Sequence, residues 1–227
     1  MDIVSSRGVD VAHSKGLIGR RPVDPGDEVV LPNRLQEIQG AALKLFALNG
    51  YAATTMADIS ADIGIKAPSI YNHVDSKHQL LFDLMQRTMD RLLAGFEAAG
   101  NDSDAPAPHL RRAVEAHVRY HSRHRYEAFV GNREIRSLQP ESRRVILAKR
   151  AKYEQRFRDL IQQGANQGVF HVTSVRLTSY ALLDMGIGVA TWYRPSAEDS
   201  EDSLVYLYGE LALRLVGFDP LARDHDQ

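Results

Sequence analysis

The sequence predicts an all-α protein in which a small N-terminal helix-turn-helix unit precedes a larger helical body. Three observations predict it. Apolar residues recur at spacings of three and four along most of the chain, the mark of helices with one buried face. No segment sustains an alternation of period two with β-branched residues. The breaks between periodic stretches carry glycine, proline and short hydroxyl or carboxylate side chains, which end and begin helices. At 227 residues and 44% hydrophobic, the chain can bury one sizeable core and a small satellite.

Residues 1–31 mix glycine, serine, proline and charge without period, and read as a disordered or loosely docked tail. From Asn33 a stripe of Ile38, Ala41, Ala42, Leu45, Phe46 and Leu48 predicts a first helix, stopped at Asn49-Gly50. Thr55 and Asp58 stand three apart, the spacing of a capping box, and open a short helix with Met56, Ile59 and Ile63 inward. Gly64-Ile65 makes a turn, and a third short helix is expected from Ala67 to His73, with Pro68 in its first turn. Ser76 and Gln79 form a second expected capping box. They start a long helix bearing Leu80, Leu81, Leu84, Met85, Leu92 and Leu93. The organisation is thus a helix-turn-helix domain at 32–78, a connecting helix at 79–99, a linker at 100–108, a helical body at 109–219 and a tail at 220–227. Within the body, helices are expected at about 109–124, 126–137, 140–164, 174–192 and 201–216.

Composition excludes several functions. There is no cysteine, so disulfides and thiolate metal sites are ruled out. No apolar run approaches the roughly 20 residues of a spanning helix, and the first residues lack a secretory apolar block; a cytoplasmic protein without membrane contact is expected. No Gly-x-Ser-x-Gly, phosphate-cradling glycine loop or His-Glu-x-x-His occurs, so the chain does not read as an enzyme. No cofactor is expected.

The segment from Lys66 to Lys77 carries the functional signal. In a helix-turn-helix the second helix enters the major groove while the first crosses the backbone. With Ile70 and Val74 facing inward, Ala67, Ser69, Tyr71, Asn72 and His73 are left outside. A serine hydroxyl, an alanine methyl and an asparagine amide read base edges. Tyr71, His73 and Lys77, with the amides of the helix beginning at Thr55, reach phosphates. Lys66 occupies a cap position it cannot fill, which weakens the free helix by about 0.5–2 kcal/mol, and its charge becomes favourable beside a phosphate. A purely structural helical core leaves this exposed Ser-Tyr-Asn-His face unexplained.

The run GYAATTMADISADIGIKAPSIYNHVDSKHQLL resembles the DNA-binding domain of the TetR family of transcriptional repressors. It carries Gly50-Tyr51, Thr54-Thr55, Ile59, Gly64, Ile70 to His73 and Ser76-Lys77, over about Asn33 to Met89. The resemblance implies base reading by Ala67, Pro68 and Ser69, and phosphate contacts from Thr55, Tyr71, His73 and Lys77. It also implies a homodimer on duplex operator DNA, with a four-helix bundle of the last two helices across the twofold axis. Gly186, Gly188, Leu204, Leu207, Leu211 and Leu215 are the expected interface, by their small size or their helical spacing.

A second stretch, 117–194, is similar to repressors of fatty-acid and steroid breakdown induced by coenzyme A thioesters. Its landmarks are Phe129 to Leu138, Tyr153 with Arg156, and Gly188 to Pro195. The expected effector site comprises His121, Phe129, Asn132, Arg133, Arg136, Tyr153, Arg156, Met185 and Trp192. Between Arg111 and Arg158 there are 12 Arg and 2 Lys against 5 Glu, so 14 − 5 gives +9, in a chain whose net charge is −1. Arginine pairs with phosphate bidentately, so this surplus suits a polyanionic nucleotide. Asn132-Arg133-Glu134 reads equally as cavity lining or as a network tying helices together. His117, His121 and His124 share a helix face; a pocket or solvent role is favoured over metal ligation. The runner-up function is a multidrug sensor, whose cavity would favour aromatic and acidic residues.

Overall fold

The computed structural model describes residues 33–101, 103–196 and 200–220. The tail expected at 1–31, and all but the first residue of that at 220–227, lie outside them. Every regular element among the described residues is helical: α1 (Arg34–Asn49), α2 (Met56–Asp62), α3 (Ala67–Ile70), α4 (Lys77–Ala99), α5 (Pro106–Arg123), α6 (Arg125–Arg133), α7 (Pro140–Asn166), α8 (Val175–Trp192) and α9 (Glu201–Leu215). A 3-10 turn, Glu134–Ser137, follows α6. No helix of these residues is long and apolar enough to cross a membrane.

The helix starts follow their caps. Asn33 and Thr55 make reciprocal capping boxes with Gln36 and Asp58. Ser76 accepts from the Gln79 amide, but Gln79 bonds Asp83 instead of reaching back, so the second box is only half made. Gly50 and Gly64 end their helices at φ 85° and 69°, where a side chain would be strained. Pro106 starts α5 inside the stretch read as linker, because a proline in the first turn costs no hydrogen bond. The helix expected at 126–137 tightens into the 3-10 turn after Arg133.

Leu48 belongs outside the stripe proposed for it: it is 61% exposed, while Leu43 is buried. Two positions beyond Phe46 place Leu48 about 200° around the helix. The expected helix 67–73 is also shorter, ending at Ile70, with His73 and Val74 amides closing onto the Ile70 carbonyl as a turn. With no side-chain cap at Lys66 and a new helix starting at Ser76, a single turn is all that forms.

The core runs without a break from the small unit into the body. Ile38, Phe46, Ile59 and Ile70 join Leu80, Leu81 and Leu84 of α4, which continues through Leu92 and Phe96 to α5 and α7. There Phe96 meets Phe157 edge-on at 4.9 Å, and Phe157 is fully buried. α8 closes the body with Leu182 and Val189, and α9 packs on α5 through Val205 and Ala212.

Candidate DNA-reading face and effector cavity

The α2–turn–α3 arrangement presents one polar face. Pro68, Ser69, Asn72 and His73 are exposed, Tyr71 is 54% exposed, and Ala67 is half-buried, while Ile70 and Val74 are buried beneath them. Lys66 is exposed and makes no capping bond. Thr55 caps α2; its hydroxyl accepts from the Asp58 amide (3.1 Å) and donates to the Asp58 carboxylate (2.7 Å). The bond donated by the hydroxyl, with a second from the Thr55 amide (2.8 Å), holds the Asp58 carboxyl below its ordinary range.

Lys77 is placed differently from a free phosphate-binding cation. Its ammonium donates to the carbonyls of Tyr51 (3.0 Å) and Thr54 (2.7 Å) and lies 4.3 Å from the Tyr51 ring centre. Two of its three donors thus fasten the α1–α2 connection to α4. Tyr51 is held further by its hydroxyl, 2.9 Å from His78 Nδ1.

A cavity of about 300 Å³ opens among α4, α5, α6, α7 and α8. Met85, Met89, Leu92, Ile146, Leu183 and Ile187 give it apolar walls, and Thr88, Glu127, Arg150, Glu154, Tyr180 and Asp184 add polar groups. Of the predicted effector residues, His121, Asn132 and Tyr153 line it.

Its deep wall is a hydrogen-bonded pair. His117 Nε2 lies 3.0 Å from the Leu183 carbonyl, so that nitrogen carries the hydrogen; Nδ1 then accepts from the Tyr153 hydroxyl at 2.9 Å. Burial lowers the His117 pKa to about 4 and pushes the Tyr153 phenol up. His121 is also buried, and both its ring nitrogens lack a partner. Burial, then His117 and His124, holds it neutral, well below the usual imidazole range. Metal ligation by the three histidines does not fit this geometry, because His117 has spent both nitrogens and His124 faces Glu127 at 3.1 Å.

The other predicted effector residues lie elsewhere. Phe129 lies beside two guanidinium groups, Arg125 at 5.8 Å and Arg133 at 5.1 Å from its ring centre. Arg136 is exposed on the 3-10 turn, Met185 packs half-buried against the core, and Trp192 is 55% exposed. Arg156 lies 3.8 Å from Glu97 and borders a smaller pocket. Other arginines of the same segment balance charge between helices. Arg111 reaches Glu210 (3.2 Å), Arg112 reaches Asp104 (2.7 Å), and Arg119 and Arg123 meet at Glu201 (3.0 and 2.5 Å). These bonds, led by that of Arg123, hold the Glu201 carboxyl down at about 2. The basic surplus of 111–158 is thus largely met by carboxylates outside the segment rather than gathered at a cavity mouth.

Arg150 is the functional candidate that sequence reading missed. It lines the cavity, donates to the Gly131 carbonyl (2.5 Å), and has no carboxylate within ion-pair distance among the described residues. Its signal was available: Ile146, Arg150, Tyr153 and Phe157 share one face of α7, and an arginine in an apolar stripe is out of place. Asn132 and Glu134 resolve the open alternative by dividing it. Asn132 lines the cavity, whereas Glu134 accepts from the Tyr51 amide (3.2 Å) and from Ser137 (2.7 Å).

The proposed interface residues also divide. A Cβ on Gly186 would lie 2.2 Å from the His117 ring, so this glycine serves packing inside its own subunit. Leu204 is buried against its own subunit too. Leu207, Leu211 and Leu215 stand 57%, 44% and 45% exposed on α9, and Gly188 has open space beside it on α8.

Comparison with known proteins agrees with this architecture. Residues 38–84 match the family model described as bacterial regulatory proteins, tetR family, and residues 103–216 match the tetracyclin repressor-like C-terminal domain. The HTH-type transcriptional repressor KstR2 of Rhodococcus jostii is 27% identical over 199 residues, 85% of this chain and 93% of its own length. The crystal structure of a tetR-family regulatory protein from Rhodococcus RHA1 is 32% identical with a TM-score of 0.76, covering 83% of this chain and all of the other. AibR, solved with isovaleryl coenzyme A and operator DNA, shares the fold at a TM-score of 0.70 and 22% identity, covering 82% of this chain and 100% of that one. The chain belongs to the TetR family: it is a ligand-responsive, DNA-binding transcriptional regulator and not an enzyme.

Proposed function

We propose that the effector is the acyl part of a coenzyme A thioester from lipid or steroid breakdown, bound in the α4–α8 cavity. The carrying observation is the cavity itself: about 300 Å³, apolar in its walls, with one unpaired arginine, Arg150. That space suits an acyl group and is too small for the nucleotide, which stays outside. The likeness to KstR2, and the presence of isovaleryl coenzyme A in a protein of the same fold, support the reading. Two protomers join through the exposed apolar faces of α8 and α9, with Leu207, Leu211, Leu215 and Gly188, and set two α3 segments on successive half-sites. Lys66, Ala67, Pro68, Ser69, Tyr71, Asn72 and His73 meet the groove and its phosphates, with Thr55 at the start of α2. Filling the cavity shifts α4, which forms one wall and is the next helix after α3, and lowers operator affinity by roughly 5–150-fold.

A second reading has its own observation. Glu127, Glu154 and Asp184 also line the cavity, as a sensor of lipophilic cations would require. Sequencing the genomic DNA retained by the protein gives the operator. Anisotropy of that operator is then followed during titration with a long-chain acyl-CoA, free coenzyme A and a cationic dye. Release by the thioester alone is the expected result; release by the dye with no thioester response favours the sensor.

A further inference from the structure

We propose that His121 reads the effector by taking one uncharged oxygen, a carbonyl or a hydroxyl, carried on an otherwise apolar body. The proposal rests on the reading of this cavity as the effector site. Buried polar groups are almost always hydrogen-bonded, yet His121 is 3% exposed, borders the cavity, and leaves both ring nitrogens without a partner. Its neighbour His117 cannot complete it, since that ring is committed to Leu183 and Tyr153. Gly186 packs closely on the same His117 ring, where an added Cβ would lie 2.2 Å away, so that ring is fixed by packing as well as by its two bonds. Met85, Met89 and Leu183, which line the same cavity, offer sulfur and carbon.

A neutral imidazole presents one N–H and one lone pair. A ketone or ester carbonyl accepts the first, and a hydroxyl can use either. A fully apolar body satisfies neither and leaves the ring as it stands. The cavity therefore selects among effectors by an oxygen placed on the hydrocarbon, not by its size alone. Discrimination of this kind is strong because the analogue lacking the oxygen strands a buried polar group.

The test uses the full-length protein and matched probes, with affinities measured by calorimetry. The free probes are butylcyclohexane, its ring alcohol and its ring ketone. The linked probes are the coenzyme A thioesters of cyclohexylbutanoate and of its ring-keto form. In the wild type the oxygenated member of each set should bind at least about tenfold more tightly. His121→Leu should erase that preference, and His121→Gln, which keeps a donor and an acceptor, should retain it. Nitrogen NMR of the wild-type histidine rings adds a readout independent of variant folding: the oxygenated probe should move the His121 signals and leave those of His117 in place. Equal affinities in the wild type, a preference surviving in His121→Leu, unmoved His121 signals, or no binding by any probe would each overturn the proposal. If the thioesters bind without discrimination, it falls while the acyl-CoA reading stands. If only the free probes bind, and discriminate, it stands while the acyl-CoA reading falls.

Discussion

The exposed segment around α3 and the cavity among α4–α8 both set polar residues among apolar ones, and they treat polarity in opposite ways. From Lys66 to His73 the polar side chains follow one another in sequence, face outward, and make no side-chain hydrogen bond among the described residues. In the cavity the polar groups come from five helices, and two of them, His117 and Tyr153, are already bound to each other. The difference teaches that a site on one segment can be altered with little cost to the fold, whereas a site assembled between helices is part of what holds them together.

Stability measurements give the largest effect. Phe157→Ala, beneath the cavity, should lose about 3–5 kcal/mol in urea unfolding. Tyr71→Ala should stay within about 0.5 kcal/mol while weakening operator binding. Comparable losses from the two would break the contrast. Acid comes next. His117 is held neutral in the fold with a pKa lowered to about 4 from 6.5. The unfolded chain therefore binds more protons between those values, and the stability present above pH 6.5 is lost as pH falls toward 4, by up to about 3 kcal/mol. His121 is shifted in the same direction and adds to the loss. A unfolding midpoint that does not change across this window would remove the histidines from the account. On the outward side, Ser69→Ala should cost about 1–3 kcal/mol on the operator and almost nothing on random DNA. Equal losses on both would take Ser69 out of the base-reading set. The smallest effect tests the seam between regions. Lys77→Ala should cost about 1 kcal/mol of stability through its lost carbonyl bonds and weaken all DNA alike. Unchanged stability with a flatter salt dependence would return Lys77 to a simple phosphate contact.

The same contrast decides what could be read from the residues alone. The DNA-reading unit was legible because its information is local: Thr55 and Asp58 cap, Gly64 turns, Pro68 starts a helix, and Ile70 with Val74 fixes which face is buried. Most helices of the body were legible for the same reason, with bounds shifted by a few residues where Pro106 or the 3-10 turn intervenes. The cavity was legible only in part. His121, Asn132 and Tyr153 were found, but Arg150, Glu127 and Asp184 were not, because lining depends on how helices rotate against each other. The basic surplus misled for a related reason: its counter-charges, such as Glu201 and Glu210, sit far along the chain and close in space. Gly186 misled because a small residue serves a neighbouring ring as readily as a neighbouring subunit.

One carboxylate joins the two regions. Glu134 stands two residues after the cavity-lining pair Gly131 and Asn132, and it holds the Tyr51 amide just past the end of the first helix. Glu134→Ala should give a superrepressor: operator occupied, inducer bound, and transcription still silent, because each half works and neither hears the other. A reporter strain that responds to inducer as fully as the parent would show that the message travels by another route.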